Sequence, residues 1–131
     1  MAYVLVVEDE ILLRSWLAER LRDEGHDVVE AASGDEAKAV LSSPIALSID
    51  VVVTDLELPG SCDGVALTRH INARFPALPV IVASGRPPPT WDGLTIAGFY
   101  QKPYDPDAIS RRVAALCGDG TDTAQRDQGR G

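Results

Sequence analysis

Short apolar runs alternate with longer amphipathic segments along this chain. Five runs rich in Val, Ile and aromatic residues are predicted as β-strands, and they span residues 3–7, 28–31, 50–54, 79–83 and 98–101. Most of the segments between them carry apolar residues at helical spacing. Strands that alternate with helices indicate a parallel sheet with right-handed crossovers and helices on both faces.

A doubly wound α/β fold of this size has a common arrangement. Five strands suit the flavodoxin-like order 2-1-3-4-5, a (βα)5 architecture in which strands one and three are neighbours. The carboxyl ends of the strands then share one edge of the sheet, which is where ligands bind in such folds.

The first helix is predicted to bury a stripe of apolar residues, and these are Ile11, Leu12, Leu13, Trp16, Leu17 and Leu21. Gly25 follows where a helix end favours a left-handed residue. The two histidines of the chain, His26 and His70, are interpreted as incidental surface residues.

Polar residues predict where the later helices begin. Ser33 and Glu36 form the S-x-x-E pattern of a capping box. Asp63 is a plausible N-cap for the third helix, and Asp105 precedes a proline at the first position of the last helix.

Composition narrows the classes of function. Twenty acidic against twelve basic residues give a formal charge of −8, which argues against a nucleic-acid partner. No apolar stretch approaches the roughly 20 residues of a membrane span, and no signal peptide is recognised at the N-terminus. Cys62 and Cys117 match no metal spacing and are interpreted as reduced thiols, so we expect a cytoplasmic protein.

The chain is predicted to form one domain over residues 1–118. Residues 119–131 contain almost no apolar side chain and cannot bury enough surface to fold, so a disordered C-terminal tail is expected there.

Charged residues gather where three predicted strands end. Glu8 and Asp9 follow the first strand, Asp55 follows the third, and Lys102 follows the fifth. Two or three carboxylates on adjacent strand ends suit Mg²⁺, which prefers oxygen ligands and keeps several waters. Without a cation the carboxylates would repel one another. Some of these acids could instead serve only as helix caps, but the acidic, lysine and serine ends together favour a functional site.

The same cluster suits phosphoryl transfer. Asp55 can act as a nucleophile and form an aspartyl phosphate. Lys102 offers a compact positive charge to that phosphate, and Ser84, at the end of the fourth strand, offers a hydroxyl hydrogen bond.

Together these motifs resemble the response-regulator receiver domain of two-component signalling. The segments that carry the resemblance are VLVVEDE (4–10), VVVTDLELPG (51–60), DG (63–64), VIVASG (80–85) and QKPY (101–104). They extend over about residues 3–117, and the set is far more specific than any one motif.

The resemblance implies roles for the acidic residues. Asp55 is expected to be the phosphoacceptor and a metal ligand, and Asp9 a direct Mg²⁺ ligand. Glu8 is expected to act mainly through water, and the backbone carbonyl of Glu57 to complete the protein ligands.

The resemblance also implies a switch. Ser84 occupies the position of the hydroxyl that moves toward the phosphate, and Lys102 that of the family lysine, with a cis bond expected at Pro103. Phe99 occupies the aromatic switch position, although an ordinary core aromatic is an equally good interpretation.

The chain departs from the family pattern between Ser84 and Lys102. Three consecutive prolines at 87–89 forbid a helix interior, so helix four of the family is predicted to be shortened or absent, with Trp91 and Ile96 packing over the gap. Many receivers dimerise through that region, so we expect a monomer or an atypical dimer.

The leading functional hypothesis is a standalone phosphoacceptor. A sensor histidine kinase or a histidine phosphotransfer protein would phosphorylate Asp55, and an unidentified protein target would read the result. Apart from self-catalysed phosphorylation and slow autodephosphorylation, no enzymatic turnover is expected. The alternatives are a phosphorylation-independent interaction module with the same fold and, less favoured, a Mg²⁺-dependent phosphohydrolase with Glu57 as its second acid.

Overall fold

The computed structural model describes residues 1–86 and 93–118, and strands and helices alternate along this part of the chain. The strands are β1 (Tyr3–Val7), β2 (Asp27–Ala31), β3 (Val51–Asp55), β4 (Val80–Ser84) and β5 (Gly98–Gln101). The α-helices are α1 (Ile11–Asp23), α2 (Gly34–Leu41), α3 (Gly64–Arg74) and α4 (Pro106–Leu116). A short 3₁₀ helix at Pro44–Ser48, which the sequence did not predict, joins α2 to β3. The tail predicted over 119–131 lies outside the described residues.

All five strands form one parallel sheet in the order β2-β1-β3-β4-β5. The predicted flavodoxin-like fold is therefore confirmed. Val7 is in register with Thr54, and Asp55 with Ala83, so the carboxyl ends of the central strands lie at one edge. Asp55 is the last residue of β3 and Ser84 the last of β4, each one residue beyond the predicted end of its strand.

The helices cover both faces of the sheet. One face packs against α2 and α3, whose buried residues include Ala37, Leu41, Leu67 and Ile71. The other packs against α1 and α4, which contribute Leu17, Leu21, Ile109 and Val113. The central strands β3 and β4 are buried along their whole length, as expected for parallel strands covered on both sides.

The predicted helix starts are observed. The side chain of Ser33 accepts a hydrogen bond from the backbone N–H of Glu36 at 3.1 Å, and Asp63 accepts one from Ala66 at 2.9 Å. Asp105 accepts one from Asp107, the second residue of α4. Each satisfies a backbone donor that a helix start leaves unpaired. The second hydrogen bond of the predicted capping box is displaced by one residue: the Glu36 carboxylate accepts from the N–H of Ala32 rather than from that of Ser33.

The predicted burial of the apolar stripe of α1 is correct for two of its six residues. Leu17 and Leu21 are buried and Leu13 is partly buried, but Ile11 is 64% exposed, Leu12 84% and Trp16 50%. The helix begins at the carboxyl edge, where the strands end, so its first turns extend past the sheet. Trp16 stacks on Tyr104 with ring centroids 6.4 Å apart.

The surface assignment of His26 is wrong. Its side chain is buried, and Nδ1 accepts a hydrogen bond from the backbone N–H of Ala2 at 3.0 Å. This bond closes the turn between α1 and β2 over the start of the chain, which position in the sequence alone does not reveal.

None of the described residues between β4 and β5 is helical, which agrees with the prediction for this segment. The side chain of Asn72 on α3 donates to the carbonyl of Thr95 and accepts from its N–H, at 3.1 and 2.7 Å. Arg112 on α4 donates to the Ala97 carbonyl at 2.8 Å. Ile96 packs against the core beside α2 and α3, whereas the prolines and Trp91 lie outside the described residues.

None of the helices within 1–86 and 93–118 combines the length and the apolar character needed to cross a membrane.

Gly64 allows α3 to begin directly against β3. A Cβ at this position would lie 2.0 Å from the backbone oxygen of Asp55, an impossible contact, whereas a Cβ at Gly85 meets nothing within 4 Å. We expect Gly64→Ala to lower the free energy of unfolding by roughly 3 kcal/mol, as overpacking does. Urea denaturation checks this, with Gly85→Ala as the matched control. Equal losses in the two variants would contradict it.

Candidate functional site

The carboxyl edge of the sheet brings the predicted charged residues together. Glu8 follows β1, Asp55 ends β3, and Lys102 follows β5. The carboxylates of Glu8 and Asp55 are almost fully buried, with 5% and 4% residue exposure, while Asp9 is exposed. The result is a shallow site with buried acids at its base and one acid at its rim.

Lys102 holds the two buried acids. Its Nζ lies 2.8 Å from Glu8 Oε1 and 2.8 Å from Asp55 Oδ2. Burial disfavours the charged amine, but the hydrogen bonds to Asp55 and Glu8 outweigh this effect and raise the pKa of Lys102. Burial also raises the pKa of Glu8, which the Lys102 hydrogen bond opposes. Lys102 is therefore positively charged, and its charge offsets the repulsion between the buried carboxylates of Glu8 and Asp55.

Backbone groups fix the remaining carboxylate oxygens. Asp55 Oδ1 accepts from the N–H of Glu57 at 3.1 Å, and Glu8 Oε2 accepts from that of Glu10 at 3.1 Å. The backbone N–H of Lys102 donates to the carbonyl of Ser84 at 2.7 Å, which ties the end of β5 to the end of β4. The Lys102–Pro103 bond is cis.

Three carboxylates in this site are close enough to share a cation. Oxygens of Glu8, Asp9 and Asp55 all lie within 4.8 Å of one another. One lysine leaves two negative charges uncompensated when all three are ionised. An all-oxygen cluster with one exposed member has the donor chemistry of Mg²⁺, so the residues fit this ion. The Glu57 backbone lies beside Asp55, whereas the Glu57 carboxylate forms an ion pair with Arg86.

The two predicted switch residues lie on β4 and β5. Ser84 is fully buried and directly follows Ala83, the register partner of Asp55 on the neighbouring strand. Its hydroxyl accepts a hydrogen bond from the Arg86 N–H at 3.1 Å. Phe99 is partly buried and packs against the core beside α2 and α3. Their movement as a switch stays a prediction.

Two residues beside the site were not singled out from the sequence. Arg14 on α1 donates to the backbone carbonyl of Glu8 at 2.9 Å. Tyr104 is partly buried, and burial together with the nearby Glu8 charge raises its pKa to about 12. Tyr104 belongs to the QKPY motif and could have been noticed there, but no local pattern links Arg14 to Glu8.

Comparison with known proteins agrees with this geometry. The family model described as the response regulator receiver domain matches residues 4–114. The virulence transcriptional regulatory protein PhoP of Salmonella typhimurium is 40% identical over 122 residues, which are 88% of this chain and 52% of PhoP. The CAI-1 autoinducer sensor kinase/phosphatase CqsS of Vibrio cholerae is 32% identical over 86% of this chain but only 17% of CqsS.

The solved structures are similar over nearly their whole length. A response regulator receiver protein from Pseudomonas putida is 30% identical with a TM-score of 0.78, covering 87% of this chain and 96% of that one. By contrast, this chain spans about half, or less, of the length of the curated relatives it matches. From the family match, the sheet order and the site geometry together, the chain belongs to the response regulator receiver domain family of two-component signalling.

Proposed function

We propose that this protein is a phosphoacceptor whose Asp55 receives a phosphoryl group from a histidine kinase or a histidine phosphotransfer protein, with Mg²⁺ bound. The observation that carries the proposal is Asp55 at the edge of the sheet, hydrogen-bonded to Lys102 and grouped with Glu8 and Asp9. Family membership supports the class of partner.

The proposed reaction is a transfer between two covalent carriers. A carboxylate oxygen of Asp55 attacks the phosphorus of a phosphohistidine, a P–O bond forms, and the P–N bond to the imidazole breaks. The imidazole nitrogen keeps the bonding pair and takes up a proton. Lys102, already 2.8 Å from Asp55, is placed to turn toward the incoming phosphoryl oxygens and offset their charge.

Glu8, Asp9 and Asp55 would hold the cation, with the backbone carbonyl of Glu57 as a further ligand. When bound, Mg²⁺ supplies positive charge that offsets the repulsion between the acids and the phosphoryl group. Phosphorylation is self-catalysed, and slow autodephosphorylation returns the free carboxylate. We propose no other turnover.

The exposed start of α1 is proposed as the surface that receives the donor. Ile11 and Leu12 directly follow the acidic segment 8–10, and both are largely exposed. The donor histidine must come within bonding distance of Asp55, so the protein that carries it must cover this rim. Burial of two exposed aliphatic side chains would then favour docking.

The output is proposed to pass through protein contacts rather than through DNA. The charge of −8 disfavours a nucleic-acid surface. Because no described residue between β4 and β5 is helical, a monomer or a dimer of unusual geometry is proposed. Cys62 and Cys117 form no disulfide, in keeping with a proposed cytoplasmic location.

The two alternatives are less well supported. A phosphorylation-independent module would not need the Lys102 contacts to both Glu8 and Asp55. A phosphohydrolase would need Glu57 as a second acid, but its carboxylate pairs with Arg86 instead of joining the cluster.

Incubation with Mg²⁺ and acetyl phosphate is expected to add the mass of one phosphoryl group to the wild type and none to Asp55→Asn. Asn lacks the anionic oxygen that attacks phosphorus. Intact mass spectrometry measures the adduct. Asp50→Asn is the matched control and should be labelled normally, because Asp50 lies just before β3 at the opposite end of the strand and bonds to the Tyr3 N–H. The proposal fails if neither acetyl phosphate nor a phosphorylated kinase labels the wild type.

Mg²⁺ is expected to stabilise the folded wild type, by about 2.7 kcal/mol at a concentration 100 times Kd. The ion binds acids that the folded state holds together and relieves their repulsion. Thermal unfolding with and without Mg²⁺ measures this. The shift should vanish in Asp9→Asn and after chelation, and persist in the control Asp23→Asn at the far end of α1. An equal shift in Asp9→Asn would contradict the ligand assignment.

Ile11→Ser with Leu12→Ser is expected to slow phosphotransfer from a phosphorylated histidine phosphotransfer protein at least about tenfold, because apolar contacts with the donor are lost. Labelling by acetyl phosphate should not change, since it needs no docking. Leu47→Ser is the matched control, as Leu47 is 92% exposed but lies in the 3₁₀ helix. Equal transfer rates for the double variant and the control would exclude this docking surface.

A further inference from the structure

The acidic segment 8–10 has an anchor that the phosphorylation site does not explain. Arg14 lies on α1 with its side chain only 15% exposed. Its Nη1 donates to the backbone carbonyl of Glu8 at 2.9 Å, and its Nε donates to Glu30 Oε1 on β2 at 3.2 Å. A single guanidinium therefore joins the acidic segment to the edge strand of the sheet.

The carbonyl that Arg14 holds belongs to the peptide unit between Glu8 and Asp9. This peptide unit is planar and includes the Cα of Asp9. A hydrogen bond to its oxygen therefore restrains the direction in which the Asp9 side chain points. The Glu8 N–H is already bonded to the Ala31 carbonyl at 3.0 Å. The Glu8 N–H is thus bonded to Ala31 and the Glu8 carbonyl to Arg14, so the backbone is restrained on both sides of Glu8.

Asp9 needs such restraint more than the other two acids do. Glu8 and Asp55 are buried and bonded to Lys102, whereas Asp9 is exposed. Within the part of the chain that the structure describes, no hydrogen bond or ion pair holds the Asp9 carboxylate. The position of this carboxylate therefore depends on its backbone.

We propose that Arg14 is a positioning residue for the cation site: it holds the Glu8–Asp9 peptide against β2 and so presents the Asp9 carboxylate to Mg²⁺. The proposal rests on the proposed function, which supplies the cation. Arg14 touches neither the phosphoacceptor nor the ion, and acts through the backbone of Glu8.

The charge of Arg14 and its role as an anchor predict opposite changes in Mg²⁺ affinity when Arg14 is neutralised. A positive charge near the site repels Mg²⁺, so an effect of charge alone would make binding tighter when Arg14 is neutralised. A lost anchor makes binding weaker, and changes to the groups that orient metal ligands typically cost 10- to 100-fold in affinity. Glu30 pairs with both Arg14 and Arg22, so it offsets only part of the Arg14 charge. The sign of the change in Mg²⁺ affinity therefore separates the two effects.

Isothermal titration of the whole protein with MgCl₂ tests the proposal. Arg14→Gln is expected to raise the Kd for Mg²⁺ about 10- to 100-fold. Arg14→Lys should recover part of the affinity, because an ammonium can reach the Glu8 carbonyl but lacks the fixed second donor to Glu30. A Kd for Arg14→Gln equal to or below that of the wild type would overturn the proposal.

Arg22→Gln is the matched control. Arg22 lies on the same helix and pairs with the same Glu30, but its other hydrogen bond goes to the Val28 carbonyl and not to the acidic segment. Its removal is expected to change the Kd by no more than about twofold, since exposed charges are screened by salt. A loss as large as that of Arg14→Gln would assign the effect to Glu30 or to β2 and overturn the proposal.

A second readout separates this inference from the proposed function. Without Mg²⁺, the backbone amide signals of Asp9 and Glu10 in ¹H–¹⁵N spectra should shift in Arg14→Gln and not in Arg22→Gln. If these signals and the Mg²⁺ affinity change as expected but Asp55 takes no phosphate, the proposed function fails and the positioning role stands. If Asp55 is phosphorylated and the signals and affinity are unchanged in Arg14→Gln, the positioning role alone fails.

Discussion

The double hydrogen bond from Lys102 to Glu8 and Asp55 is the interaction on which the site depends. It joins the ends of β1, β3 and β5 across three strands that are far apart in sequence. Two almost fully buried acids in one place would be costly without it, because each charge loses solvation and repels the other. In the proposed function the same lysine also offsets the charge of the incoming phosphoryl group, so one side chain would serve both stability and chemistry.

The backbone beside β3 and the backbone before β5 are held by different kinds of contact. On the side of β3, Gly64 brings α3 into direct contact with the backbone of Asp55, so this backbone has little freedom to move. On the side of β5, none of the described residues between Ser84 and β5 is helical. Asn72 and Arg112 hydrogen-bond to the backbone of this stretch, and Ile96 packs against the core. The described part of this stretch is therefore tied to α3 and α4 by side-chain hydrogen bonds.

Local patterns predicted most of the framework because their physics is local. An aspartate before a helix accepts a backbone hydrogen bond wherever the helix packs, and Asp63 and Asp105 both do so. Buried parallel strands must be apolar on both faces, so β3 and β4 were readable as short apolar runs. The prediction that Ile11 and Trp16 face the core failed because helical periodicity indicates an apolar face but not where the sheet beneath it ends.

The sequence by itself determined the strand and helix alternation, the sheet order and the carboxylates, serine and lysine at the strand ends, because apolar periodicity and the geometry of parallel sheets dictate where those ends meet. Only the tertiary structure decided how the charges are paired. Lys102 contacts two acids 47 and 94 residues away, Arg14 reaches the Glu8 carbonyl, and Glu57 turns to Arg86. Such contacts depend on the distance between atoms that folding brings together, and no spacing along the chain encodes that distance.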